Sequence, residues 1–324
     1  MRKVSGSSRK SGLSPSPKVA VFLGGNSPER NISLRSGRAV LKALRDAGST
    51  PIALDPGRMS RKQLLASGFE VAFIALHGAG GEDGVIQHWL DRCGIPYTGS
   101  DRRGCELSYD KVLSKKVFLR SGIPTPPFVI VSRSSWKRVL EEFPTPFFVK
   151  PTQDGSSIGV FRVDDFKASR VKIARALDKY GRLLVENAVI GREFTVGIFD
   201  GKALPVIELQ PKRGFYDYRA KYTKGMTRYR VPAPISPELA KKMQRLGLRV
   251  HRALGLRDFS RVDIMLDKKE RPYVLEANAI PGFTELSLLP KAARYAGIAF
   301  EQVCARLIDR ALRRNRLSGK KKQR

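Results

Sequence analysis

The stretch that decides the fold is Arg261-Val-Asp-Ile-Met-Leu-Asp267, followed by Lys268-Lys-Glu-Arg271 and then Pro272-Tyr-Val-Leu-Glu-Ala-Asn278. Apolar and polar side chains alternate in the first and third runs, which is typical of half-buried strands, and the charged run between them suits a turn. If Asp267 faces Pro272 across this turn, the two runs form an antiparallel β-hairpin.

That register predicts a cluster of polar side chains on one face of the hairpin. Asp263 lies opposite Glu276 and Arg261 lies opposite Asn278, and side chains two residues apart share a face. Facing carboxylates destabilise a sheet. A hard cation would relieve the repulsion, because Mg²⁺ takes oxygen ligands and usually shares them with substrate phosphates. A solvated hairpin with ordinary surface charges is the alternative.

Composition places the chain among multi-domain globular proteins. Its 324 residues suit about two or three domains, and a hydrophobic content of 41% is enough for well-formed cores. No apolar run approaches the roughly 18 residues of a membrane helix, and the basic N-terminus lacks the apolar region of a secretory signal. Cys93, Cys105 and Cys304 have neither disulfide nor zinc spacing, so we expect a reducing, cytoplasmic location.

The formal net charge of +31 is extreme. Residues 1–18 and 313–324 are basic and contain no acidic residue, and the body between them is basic as well. Such a charge favours anionic ligands or nucleic-acid surfaces. No aromatic-interleaved basic stretch accompanies it, so we expect solvated, disordered tails and no specific nucleic-acid partner. Nonspecific polyanion binding stays open as an alternative.

The N-terminal part alternates strands and helices. After a tail over residues 1–17, Lys18–Leu23 reads as a buried parallel strand, and Ser27-Pro28-Glu29 begins a helix that runs to Leu44. A second strand covers Val71–Leu76. This order predicts a doubly wound α/β domain over residues 18–100. Ligands bind at the carboxyl ends of strands in such sheets, where Gly24, Gly25, Glu29, His77 and Glu82 lie.

Two further units follow, over residues 101–186 and 187–314. The first has a helix around 110–121, strands at 127–131 and 147–150, and the glycine-bracketed loop Thr152–Gly159. The second contains the hairpin and a terminal helix that ends near Arg314, before a basic tail over 315–324.

Several loops carry residues suited to ligand binding. Glycine N–H groups and serine hydroxyls in Asp154–Gly159 could hold a phosphate, although a simple hairpin loop is the alternative. Glu186 and Glu193 could accept hydrogen bonds from adenine and ribose, or could be surface carboxylates. The aromatic-rich segment Phe215–Tyr222 suits a loop that closes over a ligand, or a packed surface loop.

The segment after the hairpin is a candidate anion site. The N–H of Gly282 can face an oxyanion, and Ser287 can hydrogen-bond a carboxylate. The alternative is that Pro281-Gly282 and Ser287 only turn the chain and cap the next helix.

These motifs together resemble the D-alanine–D-alanine ligase family, whose members have the ATP-grasp fold, from Lys18 to about Asp309. The matching stretches occur in order: Gly24–Ser33, Leu76–Gly84, Gly94–Ser100, Asp110-Lys111, Val149–Ser157, Phe215–Tyr222 and Leu275–Gly282. The resemblance implies an N-terminal doubly wound parallel-sheet domain and then a two-domain α+β ATP-grasp unit, in an α/β protein that joins two D-alanine molecules through an acyl phosphate for peptidoglycan precursors. It also implies a homodimer.

The resemblance also implies roles for individual residues. ATP would be held by Lys111, Lys150, Glu186, Glu193 and Lys221 and by backbone groups of Asn187 and Val189. Two Mg²⁺ ions, or alternatively Mn²⁺, would be held by Asp263, Glu276 and Asn278. The first D-alanine would meet Glu29 and His77, and the second would meet Ser287 and Leu288. The catalytic set would be Glu29, Ser156, Tyr222, Arg261 and Gly282.

The chain departs from the family pattern at Tyr109 and Phe283, where Met is common, and at Ala279, where Thr is common. We expect these changes to affect the shape of the second-substrate pocket rather than the chemistry. D-serine or D-lactate as second substrate is an alternative, although Lys221-Tyr222 argues against D-lactate. A polyanion-binding protein with an inherited fold and a catalytically dead relative are further alternatives.

Overall fold

The computed structural model describes residues 17–212 and 225–322. Its first unit contains a parallel sheet in the order β2-β1-β3. The elements of this unit are β1 (Val19–Phe22), α1 (Arg30–Asp46), β2 (Ile52–Leu54), α2 (Arg61–Ala66), β3 (Val71–Ile74) and α3 (Val85–Arg92). Every residue of β1 is buried, as expected for a strand covered on both faces. Ala20 and Phe22 share a core with Trp89 of α3, whereas Val19 and Val21 share one with residues of α1.

The second unit contains an antiparallel sheet in the order β4-β7-β5-β6. Its elements are α4 (Arg102–Tyr109), α5 (Lys111–Arg120), β4 (Phe128–Ser132), α6 (Trp136–Glu142), β5 (Phe147–Pro151), β6 (Phe161–Val163), α7 (Phe166–Tyr180) and β7 (Arg182–Asn187). Asp110 separates α4 from α5, because its carboxylate accepts the N–H groups of Val112 and Leu113 and so caps α5. The core behind the sheet is aromatic and aliphatic, with Trp136, Phe147 and Ile173 all buried.

The third unit contains a larger antiparallel sheet, in the order β11-β10-β8-β12-β13 with β9 paired to β8. Its elements are β8 (Gly191–Phe199), β9 (Lys202–Ala203), β10 (Ile207–Pro211), β11 (Thr227–Arg230), α8 (Pro237–Ala253), β12 (Phe259–Asp267), β13 (Pro272–Asn278), α9 (Leu288–Tyr295) and α10 (Phe300–Lys322). Phe194, Val196 and Val262 on one face of this sheet are fully buried. The opposite face carries Thr195 and Asp263, and also the buried Phe199 and Phe259.

Helix α10 returns to the first unit. It packs against α1 and β3, and Cys304 and Leu307 complete the core on that side of the parallel sheet. The helix continues to Lys322, past Arg314, where the sequence predicted its end and beyond which it predicted a tail. The extension is reasonable because arginine, leucine and lysine are good helix formers. In the described part of the chain, no helix combines the length and the apolar character needed to span a bilayer.

The predicted hairpin is present as β12 and β13. Arg261 pairs with Asn278 and Asp263 pairs with Glu276, which confirms the predicted pairs. The turn differs from the prediction, because Leu266 rather than Asp267 pairs with Pro272. Asp267 instead ends β12 and pairs with Gly191 of β8, and its carboxylate accepts backbone N–H groups within the turn.

Candidate active site

A cavity of about 790 Å³ lies where the three units meet. It brings together ten of the residues that the sequence proposed for the site. They are Glu29 and His77 from the first unit, Lys111 and Ser156 from the second, and Arg261, Glu276, Asn278, Gly282, Ser287 and Leu288 from the third. Lys221 and Tyr222, with the segment Phe215–Tyr222, lie outside the described residues, so their roles stay predictions.

Glu29 is a buried carboxylate on the part of the cavity wall that the first unit supplies. It immediately precedes α1 and is 6% exposed. The hydroxyl of Ser156, from the loop after β5, donates a hydrogen bond to its carboxylate and so links the first and second units. Ser156 has a φ of 54°, in the left-handed region that non-glycine residues rarely occupy. A Cβ at Gly155 would lie 2.6 Å from Glu29 Oε2, so only glycine permits this approach.

His77 is held on every side by hydrogen bonds. Its backbone N–H donates to Ser33 Oγ at 2.9 Å, and its carbonyl accepts from Ser27 Oγ at 2.6 Å. Its ring nitrogens contact Ser36 Oγ at 3.0 Å and Glu82 Oε1 at 3.1 Å. The ring is 4% exposed, and this network fixes it at the cavity wall.

Sequence analysis missed Ser33 and Ser36. Both are buried on α1, four and seven residues after Glu29. Residues at this spacing lie on the same face of a helix. The available signal was therefore a polar stripe along a helix that otherwise presents Val40, Leu41 and Leu44 to the core.

Lys111 lies at the start of α5, and its ammonium donates to the carbonyl of Asp154 at 2.5 Å. The loop proposed to hold phosphate is therefore tied to one of the lysines proposed for the same role. Tyr109, the departure from the family pattern just before it, also lines the cavity. Burial raises the pKa of its phenol, so it is neutral there.

Lys150 and Glu186 form a buried ion pair between β5 and β7, and Lys115 joins it. Lys115 Nζ lies 2.7 Å from Glu186 Oε2, and both side chains are 1% exposed. Burial raises the pKa of Glu186, but the two ammonium groups outweigh it and the pKa is lowered overall. Burial lowers the pKa of Lys115 despite the attraction of Glu186. For Lys150 the carboxylates, Glu186 first, outweigh burial and raise the pKa.

Lys115 is a second residue that sequence analysis missed. It follows Lys111 by four residues, so the two lysines lie on the same face of α5. That spacing was visible in the sequence, but an isolated lysine is far more often a surface residue.

The residues proposed for adenine and ribose do not line the cavity itself. The set comprises Glu186, Asn187, Val189 and Glu193. Glu186 is engaged by the two lysines, and the N–H of Asn187 donates to the carbonyl of Pro127 at 2.9 Å. Within the described residues, Asn187 Oδ1 is buried without a hydrogen-bond partner. Glu193 lies on β8 opposite Met265, on the same sheet face as Asp263.

The hairpin places its proposed oxygen ligands on the sheet face opposite Val196 and Val262. Asp263 is 7% exposed and accepts from Arg261 Nε at 2.9 Å, Arg261 Nη2 at 2.8 Å and Thr195 Oγ1 at 2.7 Å. Glu276 and Asn278 share this face and line the cavity. In the described chain no three His, Cys, Asp or Glu side chains form a metal-binding group. This set has two carboxylates and an amide oxygen, and that chemistry fits Mg²⁺ better than a softer metal.

The loop after β13 forms the third wall of the cavity. Ser287 Oγ accepts the N–H of Thr284 at 3.0 Å and closes a turn beside Gly282. Ser287 is the N-cap residue of α9, but its side chain makes no capping hydrogen bond to that helix. Phe283 is 1% exposed and packs against Phe73, Phe259 and Phe300. This departure from the family pattern therefore lies in the core rather than in the pocket.

Comparison with known proteins agrees with this architecture. The family model described as the D-ala D-ala ligase C-terminus matches residues 117–309, and the model of the N-terminus matches residues 53–100. The D-alanine–D-alanine ligase of Methylacidiphilum infernorum is 43% identical over 291 residues, which is 90% of this chain and 94% of that protein. The corresponding ligase of Syntrophotalea carbinolica is 43% identical over 292 residues, 90% of this chain and 95% of that protein.

Solved structures agree as well. The D-alanine–D-alanine ligase of Bacillus anthracis superposes with a TM-score of 0.83 at 32% identity, over 94% of this chain and all of that one. Its complex with ATP superposes with a TM-score of 0.81 at 29% identity, over the same shares. Fold and cavity thus define an α/β ligase of the ATP-grasp type, as the sequence predicted. The chain belongs to the D-alanine–D-alanine ligase family.

Proposed function

We propose that the protein joins two D-alanine molecules to D-alanyl-D-alanine with consumption of ATP, for the synthesis of peptidoglycan precursors. The observation that carries the proposal is that groups suited to three different parts of the reaction line one cavity. A buried carboxylate, Glu29, can bind an ammonium group. Lys111 can face phosphates, and Arg261 with the Gly282 N–H can face an oxyanion.

Activation of the first substrate is the first step. A carboxylate is a poor electrophile, so one of its oxygens attacks the γ-phosphorus of ATP and the bond to ADP breaks, which leaves an acyl phosphate. Lys111, Lys150 and Lys221 neutralise charge on the transferring group, as catalysis of phosphoryl transfer requires. Glu29 holds the substrate ammonium, with Ser156 and Tyr222 closing the site.

The metal ligands support this step. Asp263, Glu276 and Asn278 would hold two Mg²⁺ ions, which, when bound, supply positive charge to the phosphate oxygens. Mn²⁺ accepts the same kinds of ligand. Arg261 forms an ion pair with Asp263. The residue proposed to face the oxyanion therefore contacts one of the proposed metal ligands.

Ligation is the second step. The free amine of the second D-alanine attacks the acyl carbon, the C–N bond forms, and phosphate leaves as the tetrahedral oxyanion collapses with loss of a proton from the amine. Arg261 and the Gly282 N–H stabilise that oxyanion. Ser287 and Leu288 receive the carboxylate of the second substrate. Exclusion of water by the closed site protects the acyl phosphate from hydrolysis.

We also propose that ATP lies between the sheets of the second and third units. Glu186, Glu193 and backbone groups of Asn187 and Val189 contact its nucleoside. Asn187 Oδ1, which has no hydrogen-bond partner among the described residues, supports a polar ligand there. A cytoplasmic homodimer remains our proposal for the working form, and the three free cysteines suit a reducing compartment. Light scattering on the purified chain tests the dimer.

The test is release of ADP and phosphate by purified protein, with the dipeptide identified by mass spectrometry. Release must depend on both D-alanine and Mg²⁺. Glu29→Gln should abolish most of this activity, whereas Glu142→Gln, at an exposed position on α6, should leave it unchanged. Folded protein that binds ATP but makes no dipeptide refutes the proposal. Parallel reactions with D-serine and D-lactate define the second substrate.

A further inference from the structure

Ser36 lies at the cavity but has no role in the proposed reaction steps. It is 1% exposed on α1 and lines the cavity. Its Oγ lies 3.2 Å from the backbone N of Phe283, in the loop after β13, and 3.0 Å from His77 Nε2. One hydroxyl thus connects the first unit with the loop that carries Gly282.

The partners fix the direction of each hydrogen bond. The N–H of Phe283 can only donate, so Ser36 Oγ accepts there. Ser36 has no other acceptor within hydrogen-bond distance in the described chain, which leaves its proton for His77 Nε2. An ionised Glu82 can only accept, so His77 Nδ1 carries the hydrogen. The polar chain therefore runs from Phe283 through Ser36 and His77 to Glu82, and this order assigns His77 the Nδ1–H tautomer.

Helix α1 connects this series of hydrogen bonds to the proposed substrate site. Glu29 and Ser36 are separated by two helical turns, so they share a face about 10 Å apart along the axis. Glu29 is the proposed anchor for the ammonium of the first substrate. The same helix face thus anchors the substrate at one end and the backbone of the proposed oxyanion loop at the other.

The packing of the Phe283 ring is a second contact that holds the loop after β13 in place. The Phe283 ring packs against Phe73, Phe259 and Phe300, with centroid distances of 5.3 to 5.7 Å. This packing holds the side chain but not the orientation of the peptide between Gly282 and Phe283. The hydrogen bond to Ser36 supplies that orientation, and a displacement of about 1 Å in a catalytic group can cost 100-fold in rate.

We propose that Ser36 is a positioning residue, which fixes the Gly282–Phe283 backbone against the first substrate and sets the tautomer of His77. The proposal deepens the proposed ligase function and rests on it. Ser36 touches no reacting atom, and its effect passes through the Phe283 N–H and the His77 ring.

The kinetic test compares two serine variants. Ser36→Ala should lower kcat roughly tenfold or more, because a buried N–H loses its partner and the loop loses its orientation. The KM for ATP should stay within about twofold. The matched control is Ser260→Ala, which removes another buried serine–histidine contact, to His251 Nδ1 at 2.7 Å, outside the cavity. A kcat for Ser36→Ala equal to that of Ser260→Ala overturns the proposal.

A second measurement needs no enzymatic activity, and the tautomer itself is read from the wild-type protein. The chain has three histidines, so ¹⁵N-histidine NMR of the wild-type protein can resolve each ring, with assignment by His77→Gln. The expected result is an Nδ1–H tautomer for His77, and a shift of its Nε2 signal in Ser36→Ala. An Nε2–H tautomer overturns the proposal even if the protein is a ligase. Failure of the ligase function shows separately, as wild-type protein that forms no dipeptide.

Discussion

Replacement of Lys115 by methionine tests the buried charge cluster most directly. Methionine keeps the length and the helix preference of lysine in α5, but it removes the ammonium group. Among the described residues, Glu186, which is 1% exposed, then keeps Lys150 as its one ion-pair partner. The change also removes the hydrogen bond from Lys115 to Thr125, whose hydroxyl donates to the carbonyl of Val274 on β13 at 2.7 Å.

The structure sets the expected size of the effect. At 2.7 Å and an effective dielectric constant near 20, the attraction between Lys115 and Glu186 is about 6 kcal/mol. The burial cost of the lysine charge disappears with it, and removal of one partner from a buried pair typically costs about 3–5 kcal/mol. Lys150 still compensates part of the carboxylate charge. We therefore expect a loss of about 3 kcal/mol in the free energy of unfolding.

Urea unfolding at pH 7, followed by tryptophan fluorescence, measures this loss in the second unit. The two tryptophans lie in different units, Trp89 in α3 and Trp136 in α6. In a Trp89→Phe background, the fluorescence of Trp136 reports the second unit alone. The control is Lys116→Met, because Lys116 is exposed on the same helix, and its cost should be below about 0.5 kcal/mol.

A double variant decides whether charge is the cause. If Lys115→Met is harmful because it leaves Glu186 undercompensated, adding Glu186→Gln should cost less than the sum of the two single changes. Strict additivity, or a loss below about 1 kcal/mol for Lys115→Met, refutes the reasoning.

Two further predictions concern the proposed first-substrate site and acid stability. Gly155→Ala places a Cβ 2.6 Å from the present position of Glu29 Oε2, so kcat/KM for D-alanine should fall roughly tenfold while ATP binding stays the same; unchanged kinetics would contradict the required close approach. Burial lowers the pKa of His251 to about 4, against about 6.5 in an unfolded chain. The unfolded state therefore binds the proton more readily than the folded state. The contribution of His251 to the free energy of unfolding is fully present above about pH 6.5, and about 3 kcal/mol of it is lost as pH drops to 4. His251→Asn should flatten that part of the curve of stability against pH, and parallel curves would be inconsistent with this cause.

The strands and the active-site motifs were predictable because their signals are local. Apolar runs such as Val19–Phe22 and the alternation in β12 follow directly from burial on two faces or on one. Glu29 and Gly282 could be proposed as site residues because each lies in a motif with distinctive glycines, prolines and charges. The family that these motifs indicated is confirmed.

Lys115, Ser33 and Ser36 could not be assigned from the sequence, because their roles depend on partners far along the chain. Ser36 meets the backbone of Phe283 across 247 positions, and Lys115 meets Glu186 from another element. A lysine or serine on a helix has the same local pattern whether it faces water or a buried partner. Only the tertiary arrangement shows which polar residues form the interior network.

The hairpin shows how a bulge determines the chemistry of the site. From the turn, Leu266 pairs with Pro272 and Ile264 with Val274. Continued without interruption, that register would pair Asp263 with Leu275 and turn Glu276 and Asn278 to the face of Val262, since a shift of one residue inverts every side chain. The register changes between Asp263 and Ile264, which leaves Leu275 as an extra residue and restores the pair of Asp263 with Glu276. Bulges often redirect side chains next to active sites. The predicted pairing was therefore right at the proposed metal ligands although it misplaced the turn, because the bulge supplies the one residue by which the two registers differ.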